Sequence, residues 1–233
     1  MSTQPDLRIG NDPEETAREC AAHIAGLLRS GGSLAISGGN TPKRMFQLLA
    51  ASDLPWGKIH IFFVDERCVP PDNEASNYRM ANTALIEPSG IPRANVHRIQ
   101  GELDPAEGAR RYIDEIAGVF GPGIPEFDVI HRGMGADAHT ASLFPGEPLI
   151  RDRSGVAANV WVEKLKMARV TLLPGVLLAA KDTVMQVAGP DKAEPLHNVL
   201  FGPDDPIRFP CQIGINRAVW FLDEAAAAKV AHS

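Results

Sequence analysis

Short apolar runs of strand length recur along this 233-residue chain with helical patterns between them, and that alternation limits its fold more than any other feature. Leu34-Ala35-Ile36, Ile59 to Val64 and Phe127 to Ile130 are too short for helices and read as buried strands. Val156 to Val162, Ala168 to Leu173, Thr183 to Val187 and Ala218 to Leu222 extend the series. Asp12 and Pro13 suit the cap and first turn of a helix whose apolar positions Ala17, Cys20, Ala21, Ile24, Leu27 and Leu28 recur until Ser30-Gly31-Gly32 stops it. Further helices are expected after Pro42, around Tyr78 to Leu85, from Asp104-Pro105 to Phe120, near Leu177 and from about Lys192 to Leu200. Parallel neighbours need a crossover, and the crossover helices lie on the faces of the sheet. The expected fold is α/β: a single three-layer α/β/α domain with a mostly parallel sheet, spanning residues 1–233, since no repeat, charge run or linker divides the chain.

Charge excludes some functions. The 23 Lys and Arg against 29 Asp and Glu leave −6, and no basic cluster stands out, so a nucleic-acid backbone is not expected as a partner. An anionic small substrate stays compatible, since a few local cations hold one. No run approaches the ~20 apolar residues of a membrane span, and the opening MSTQPDLRIGNDPEE lacks a basic segment followed by an apolar one. The expectation is a cytoplasmic protein without a membrane partner; the oligomeric state is not legible. Cys20, Cys68 and Cys211 are odd in number and scattered, which argues for free thiols over a disulfide framework or structural zinc.

In a parallel sheet, ligands bind beyond the carboxyl ends of the strands, so the loops that follow strands should converge there. The first, Ser37-Gly38-Gly39-Asn40-Thr41, lies between a strand and a helix beginning at Pro42, with Thr41 as the expected cap. Its backbone N–H groups and the helix dipole suit a phosphate, although an ordinary tight turn has the same composition. The second opens Asp65-Glu66-Arg67, in a loop expected to run to about Ser76; Arg67 is read either as a forked anion donor or as half of a surface ion pair. The third, Gly133 to Gly146, carries His139, whose residue type suits general acid/base work, with Asp137 two residues earlier to orient the ring; a structural histidine is the alternative. Met134 and Phe144 are read as packing.

Gly133-x-Gly135-x-x-Ala138 imitates a dinucleotide fingerprint, but Pro145, Gly146 and Pro148 leave no room for the helix it requires, so NAD is rejected. No Walker loop, G-x-S-x-G elbow or metal-spaced histidine pair occurs, so neither cofactor nor metal is expected.

SGGNTPKRMFQLLA at 37–50, FFVDERCVPPDNEASNYRMA at 62–81, GMGADAHTASLFPG at 133–146, RVTLLP at 169–174, GPDKAEPL at 189–196 and the closing AVWFLDEAA together resemble the 6-phosphogluconolactonase family over nearly the whole chain. The resemblance implies hydrolysis of 6-phospho-D-glucono-1,5-lactone to 6-phosphogluconate in the pentose phosphate pathway, without cofactor or metal, on a three-layer α/β/α fold. Carried onto this sequence, it makes His139 the acid/base residue and sets Arg67 beside the substrate, a place read here as the developing oxyanion or the phosphate. It assigns the Ser37 to Thr41 loop and Lys192 to the phosphate, a role extended here to Arg169.

The sister family of glucosamine-6-phosphate deaminases carries Asp-Glu-Tyr in place of Asp65-Glu66-Arg67 and a functional Glu where this chain has Phe144. A deaminase-like aldose–ketose isomerase is therefore a weaker reading. A sugar-phosphate-binding module of low activity is another, motivated by Ala138, which fills the glycine position of the family's Asp-Gly-His. At positive φ alanine costs ~1 kcal/mol or more there; at negative φ its methyl group crowds the ligand. The change is expected to be tolerated. His131-Arg132 also replace apolar residues before the loop.

Overall fold

A computed structural model describes residues 5–230; the first four and last three residues lie outside it. Ten strands and eight α-helices follow in the order β1 (Asp6–Gly10), α1 (Pro13–Leu27), β2 (Gly32–Ile36), α2 (Pro42–Ala50), β3 (Ile59–Phe63), β4 (Asp65–Arg67), α3 (Asn77–Ala81), α4 (Glu87–Ser89), β5 (Val96–His97), α5 (Pro105–Phe120), β6 (Val129–Arg132), β7 (Ala157–Val162), β8 (Met167–Leu172), α6 (Pro174–Ala179), β9 (Asp182–Val187), α7 (Ala193–Phe201), β10 (Ala218–Asp223) and α8 (Glu224–Ala227). A π-helical turn at Asn82–Ile86 joins α3 to α4.

Seven strands form one sheet in the order β1-β10-β9-β6-β2-β3-β5, every pair parallel, as the alternation of patterns requires. Helices flank it. One apolar cluster gathers Ile24, Phe46, Phe62 and Tyr112 with the strand residues they cover, and a second gathers Met185, Leu196, Trp220 and Ala226. Tyr112 is pinned inside the first: its hydroxyl accepts from Phe63 N at 2.8 Å and donates to Phe63 O at 2.7 Å. Asp12 caps α1 as expected, accepting from Glu15 N at 2.8 Å.

Three expectations need correction. The runs at 156–162 and 168–173 do not join the parallel sheet; they form an antiparallel three-stranded sheet in the order β4-β8-β7. The turn at Glu163–Leu165 and Lys166 is too short for a crossover, so the two strands must fold back on each other. The supposed loop from Asp65 starts as strand β4, in register with β8 so that Arg67 stands opposite Arg169. Thr41 does not cap α2: its backbone is already helical and its side chain makes no capping hydrogen bond. Strand β1, absent from the expected elements, pairs with β10 at the sheet edge, where half-exposed residues give little apolar signal.

Candidate active site

The carboxyl ends of β2, β6 and β9, together with β4, β8 and the start of α3, enclose a cleft of about 230 Å³. Ser37, Gly38, Gly39, Thr41, Arg67, His139, Arg169 and Lys192 all line it, so eight of the ten residues singled out from sequence meet in one place. Asp137 stands behind His139 and touches the cleft through it. Asn40 is the exception: it is exposed and lies outside the lining.

The loop after β6 is built to hold one imidazole. His139 Nδ1 lies 2.5 Å from Asp137 Oδ1, and the same oxygen accepts from His139 N at 3.2 Å. Gly135 has no alternative here, because a Cβ on it would sit 2.0 Å from His139 Nδ1. The ring stacks on Phe144, centroids 4.1 Å apart and planes 23° apart. Phe144 does pack, as expected, but what it packs against is the candidate catalytic ring. Burial alone would raise the Asp137 carboxyl; hydrogen bonds from His139 and from Lys164, on the β7–β8 turn, outweigh it and hold the group far below the usual carboxylate range. An ionised Asp137 keeps the proton of a neutral His139 on Nδ1, which leaves the Nε2 lone pair for the cleft.

Ala138 takes φ 61°, and its amide and carbonyl are used by Gly135 O and Cys211 N, both at 3.0 Å. Its methyl group is buried in the second apolar cluster and does not line the cleft. The alanine therefore strains the backbone by ~1 kcal/mol without obstructing the site.

Opposite the loop, Glu66 organises the cationic wall. Its buried carboxylate accepts from Arg67 N, Asn77 N, Tyr78 N and Ser76 Oγ at 2.7–2.9 Å, tying β4 to the start of α3. Burial nonetheless pushes its pKa up against those four bonds. Arg67 donates through Nη1 to Ala75 O at 2.5 Å, while its Nε is buried without a partner. Arg169 has an unpartnered Nε as well, with Nη1 3.4 Å from Ser142 Oγ and 3.6 Å from Asp65 Oδ2. Burial and the neighbouring Arg67 charge lower the Arg169 pKa, opposed by Asp65. Two guanidinium groups side by side with free donors form a site that an anion would stabilise. Lys192, on the loop after β9, pairs with the exposed Asp191 beside it. Gly38 is required because a Cβ there would sit 1.9 Å from Asn77 Oδ1.

Sequence reading missed four participants. Asp65 lines the cleft and accepts from Ser142 Oγ at 2.6 Å, and its place in the Asp-Glu-Arg run was the available signal. Asn77 and Gln186 also line it, and Lys164 reaches Asp137; their positions come from sheet register and hairpin geometry, which no local pattern encodes. Burial pushes the Cys68 thiol up to about 11 and the Cys211 thiol up to about 12, and neither faces the cleft, so no thiolate nucleophile is on offer. Among the described residues no group of three or more His, Cys, Asp or Glu is placed to hold a metal ion, and no helix is long and apolar enough to cross a membrane.

Residues 11–220 match the sequence profile of the family described as Glucosamine-6-phosphate isomerases/6-phosphogluconolactonase. A 6-phosphogluconolactonase of Synechocystis is 37% identical over 206 residues, covering 85% of this chain and 84% of the relative. A human 6-phosphogluconolactonase is 34% identical over 223 residues, covering 91% and 85%. The crystal structure of a protein called devB superposes with a TM-score of 0.88 at 35% identity, covering 97% of this chain and 99% of the other. Profile, relatives and superposition agree with the cleft: the chain belongs to the glucosamine-6-phosphate isomerase/6-phosphogluconolactonase family.

Proposed function

We propose that this chain hydrolyses 6-phospho-D-glucono-1,5-lactone to 6-phospho-D-gluconate, as a cytoplasmic step of the pentose phosphate pathway, with residues 1–233 acting as one unit. The observation that carries the reading is a histidine with one nitrogen on an ionised carboxylate and the other facing a cleft that also holds two unpaired guanidinium donors.

The substrate is an activated ester with a dianionic handle. Ser37, the amides of Gly38 and Gly39, Arg169 and Lys192 grip the phosphate, so binding energy from the unreactive end positions C1. His139 Nε2 takes a proton from water as the water oxygen attacks C1. The Arg67 guanidinium stabilises the negative charge that builds on the carbonyl oxygen. When the C1–ring oxygen bond breaks, His139 returns its proton to the departing ring oxygen, and the carboxylic acid product ionises. Asp137 stays ionised throughout and supports the imidazolium. Phe144 occupies the position where the deaminase pattern has a carboxylate, so the amine chemistry of that branch lacks its acid/base partner.

The test is an assay of fresh lactone, corrected for spontaneous hydrolysis, with glucosamine 6-phosphate run beside it. Acceleration of lactone opening alone supports the proposal. Turnover of glucosamine 6-phosphate with no acceleration of the lactone overturns it.

A further inference from the structure

Two polar side chains on neighbouring strands, one of them lining the cleft, carry buried atoms that meet no partner at ordinary hydrogen-bond geometry. His131, on β6, is fully enclosed and lies edge-on to Phe46 at 5.8 Å, and neither ring nitrogen makes a hydrogen bond. Gln186, on β9, is 2% exposed and lines the cleft, and its Oε1 is also unsatisfied. Register explains the juxtaposition. β6 and β9 run parallel with His131 opposite Val184, so Gln186, two residues on, projects to the same side just beyond the ring. There Gly133 supplies no side chain to cover it, and a Cβ on that glycine would meet nothing of Gln186 closer than its carbonyl oxygen, at 3.8 Å.

A buried polar group left without a partner costs ~1–3 kcal/mol, so an incompletely satisfied amide on the cleft wall suits a polar group that arrives with the ligand. An amide and a neutral imidazole complement each other whichever tautomer the ring adopts. Burial keeps the His131 ring neutral at working pH, lowering its pKa to about 4, and the Gln186 amide lies close enough to act on it. With one amide atom turned to the ring, the other is left for the cleft. That atom stands on the strand leading to Lys192 and beside the loop bearing His139, which is the stretch between the two ends of the substrate.

Resting on the lactonase reading above, we propose that Gln186, oriented by His131, hydrogen-bonds a hydroxyl group of the sugar between C2 and C4 and thereby sets selectivity among phosphosugar lactones. His131 is a positioning residue, since it reaches the substrate only through the amide. A site that pairs a buried amide with a substrate hydroxyl disfavours analogues lacking that hydroxyl, because the amide is then left unsatisfied again.

The experiment compares kcat/KM for the parent lactone with that for the 2-deoxy, 3-deoxy and 4-deoxy lactones, each generated by oxidising the corresponding sugar 6-phosphate. In the wild type one deoxy lactone should be disfavoured by about tenfold or more. Gln186→Met should erase most of that ratio through loss on the parent substrate, seen mainly in KM. Gln186→Asn, which withdraws the amide by one methylene and keeps a polar floor, should do the same should the methionine variant fold poorly. His131→Leu should reduce the ratio in the same direction by a smaller factor. Unchanged ratios in folded Gln186→Met or Gln186→Asn overturn the inference and leave the lactonase reading standing. Failure of the wild type to accelerate the parent lactone at all overturns that reading first.

Discussion

Among the described residues, two histidine–carboxylate pairs look alike locally. His139 meets Asp137 at 2.5 Å and stacks on Phe144 at 4.1 Å; His97 meets Glu115 at 2.7 Å and stacks on Phe62 at 4.3 Å. The difference lies in the second ring nitrogen. In His97 it is used by His60, 2.9 Å away, at the far edge of the sheet on β5. In His139 it faces the cleft, beside donors with nothing to bind. An oriented imidazole is therefore common protein architecture, and the open nitrogen with an anion-shaped neighbourhood is what makes a site.

Replacing each histidine in turn should separate the pairs most sharply. His139→Ala should lower kcat by ~10²–10⁴-fold, the range for loss of a general base, while binding of 6-phosphogluconate, followed by calorimetry, stays within a few-fold. His97→Ala should leave kcat within about twofold and instead cost ~1–3 kcal/mol in urea unfolding, through lost stacking and hydrogen bonds. Exchanging the carboxylates is the next contrast. Asp137→Asn should cost ~10–100-fold in kcat by releasing the tautomer and the imidazolium's counter-charge, whereas Glu115→Gln should be nearly silent in steady-state kinetics.

A third histidine adds a pH signature. His131 has a folded pKa of about 4 against 6.5 for the free side chain, so the unfolded chain binds more protons between those values and stability falls as pH falls. Going from pH 7 to 5 should cost about 2 kcal/mol through this group, and His131→Leu should flatten that part of the urea-unfolding profile. The smallest effect is expected at Ala138. Glycine relieves the strain at φ 61° but gives up a buried methyl group and loosens the unfolded chain, so Ala138→Gly should shift stability by less than ~1 kcal/mol and kcat/KM by no more than a few-fold.

The parallel sheet was legible because apolar runs and helical periods alternate, and the three site loops because glycine, charge and histidine follow strands. The direction of β7 and β8 was less visible, since burial patterns carry no polarity; only the short stretch at Glu163–Lys166 signals a hairpin. Lys164 and Gln186 reach the site through pairings between elements distant in sequence, so nothing in their local contexts marks them, whereas the Asp-Glu-Arg run did mark Asp65. The His139 loop stood out for the opposite reason: Gly135, Asp137 and His139 lie within five residues, and the contacts that build the pair are local.

In the proposed mechanism His139 Nε2 moves the proton. The most direct check is the pH dependence of kcat/KM for lactone hydrolysis, corrected for the spontaneous rate, in wild type, His97→Ala and His139→Ala. Wild type and His97→Ala should share one acidic limb of unit slope, and the residual activity of His139→Ala should lack it. The same limb persisting in His139→Ala would assign the base to another group and contradict the account.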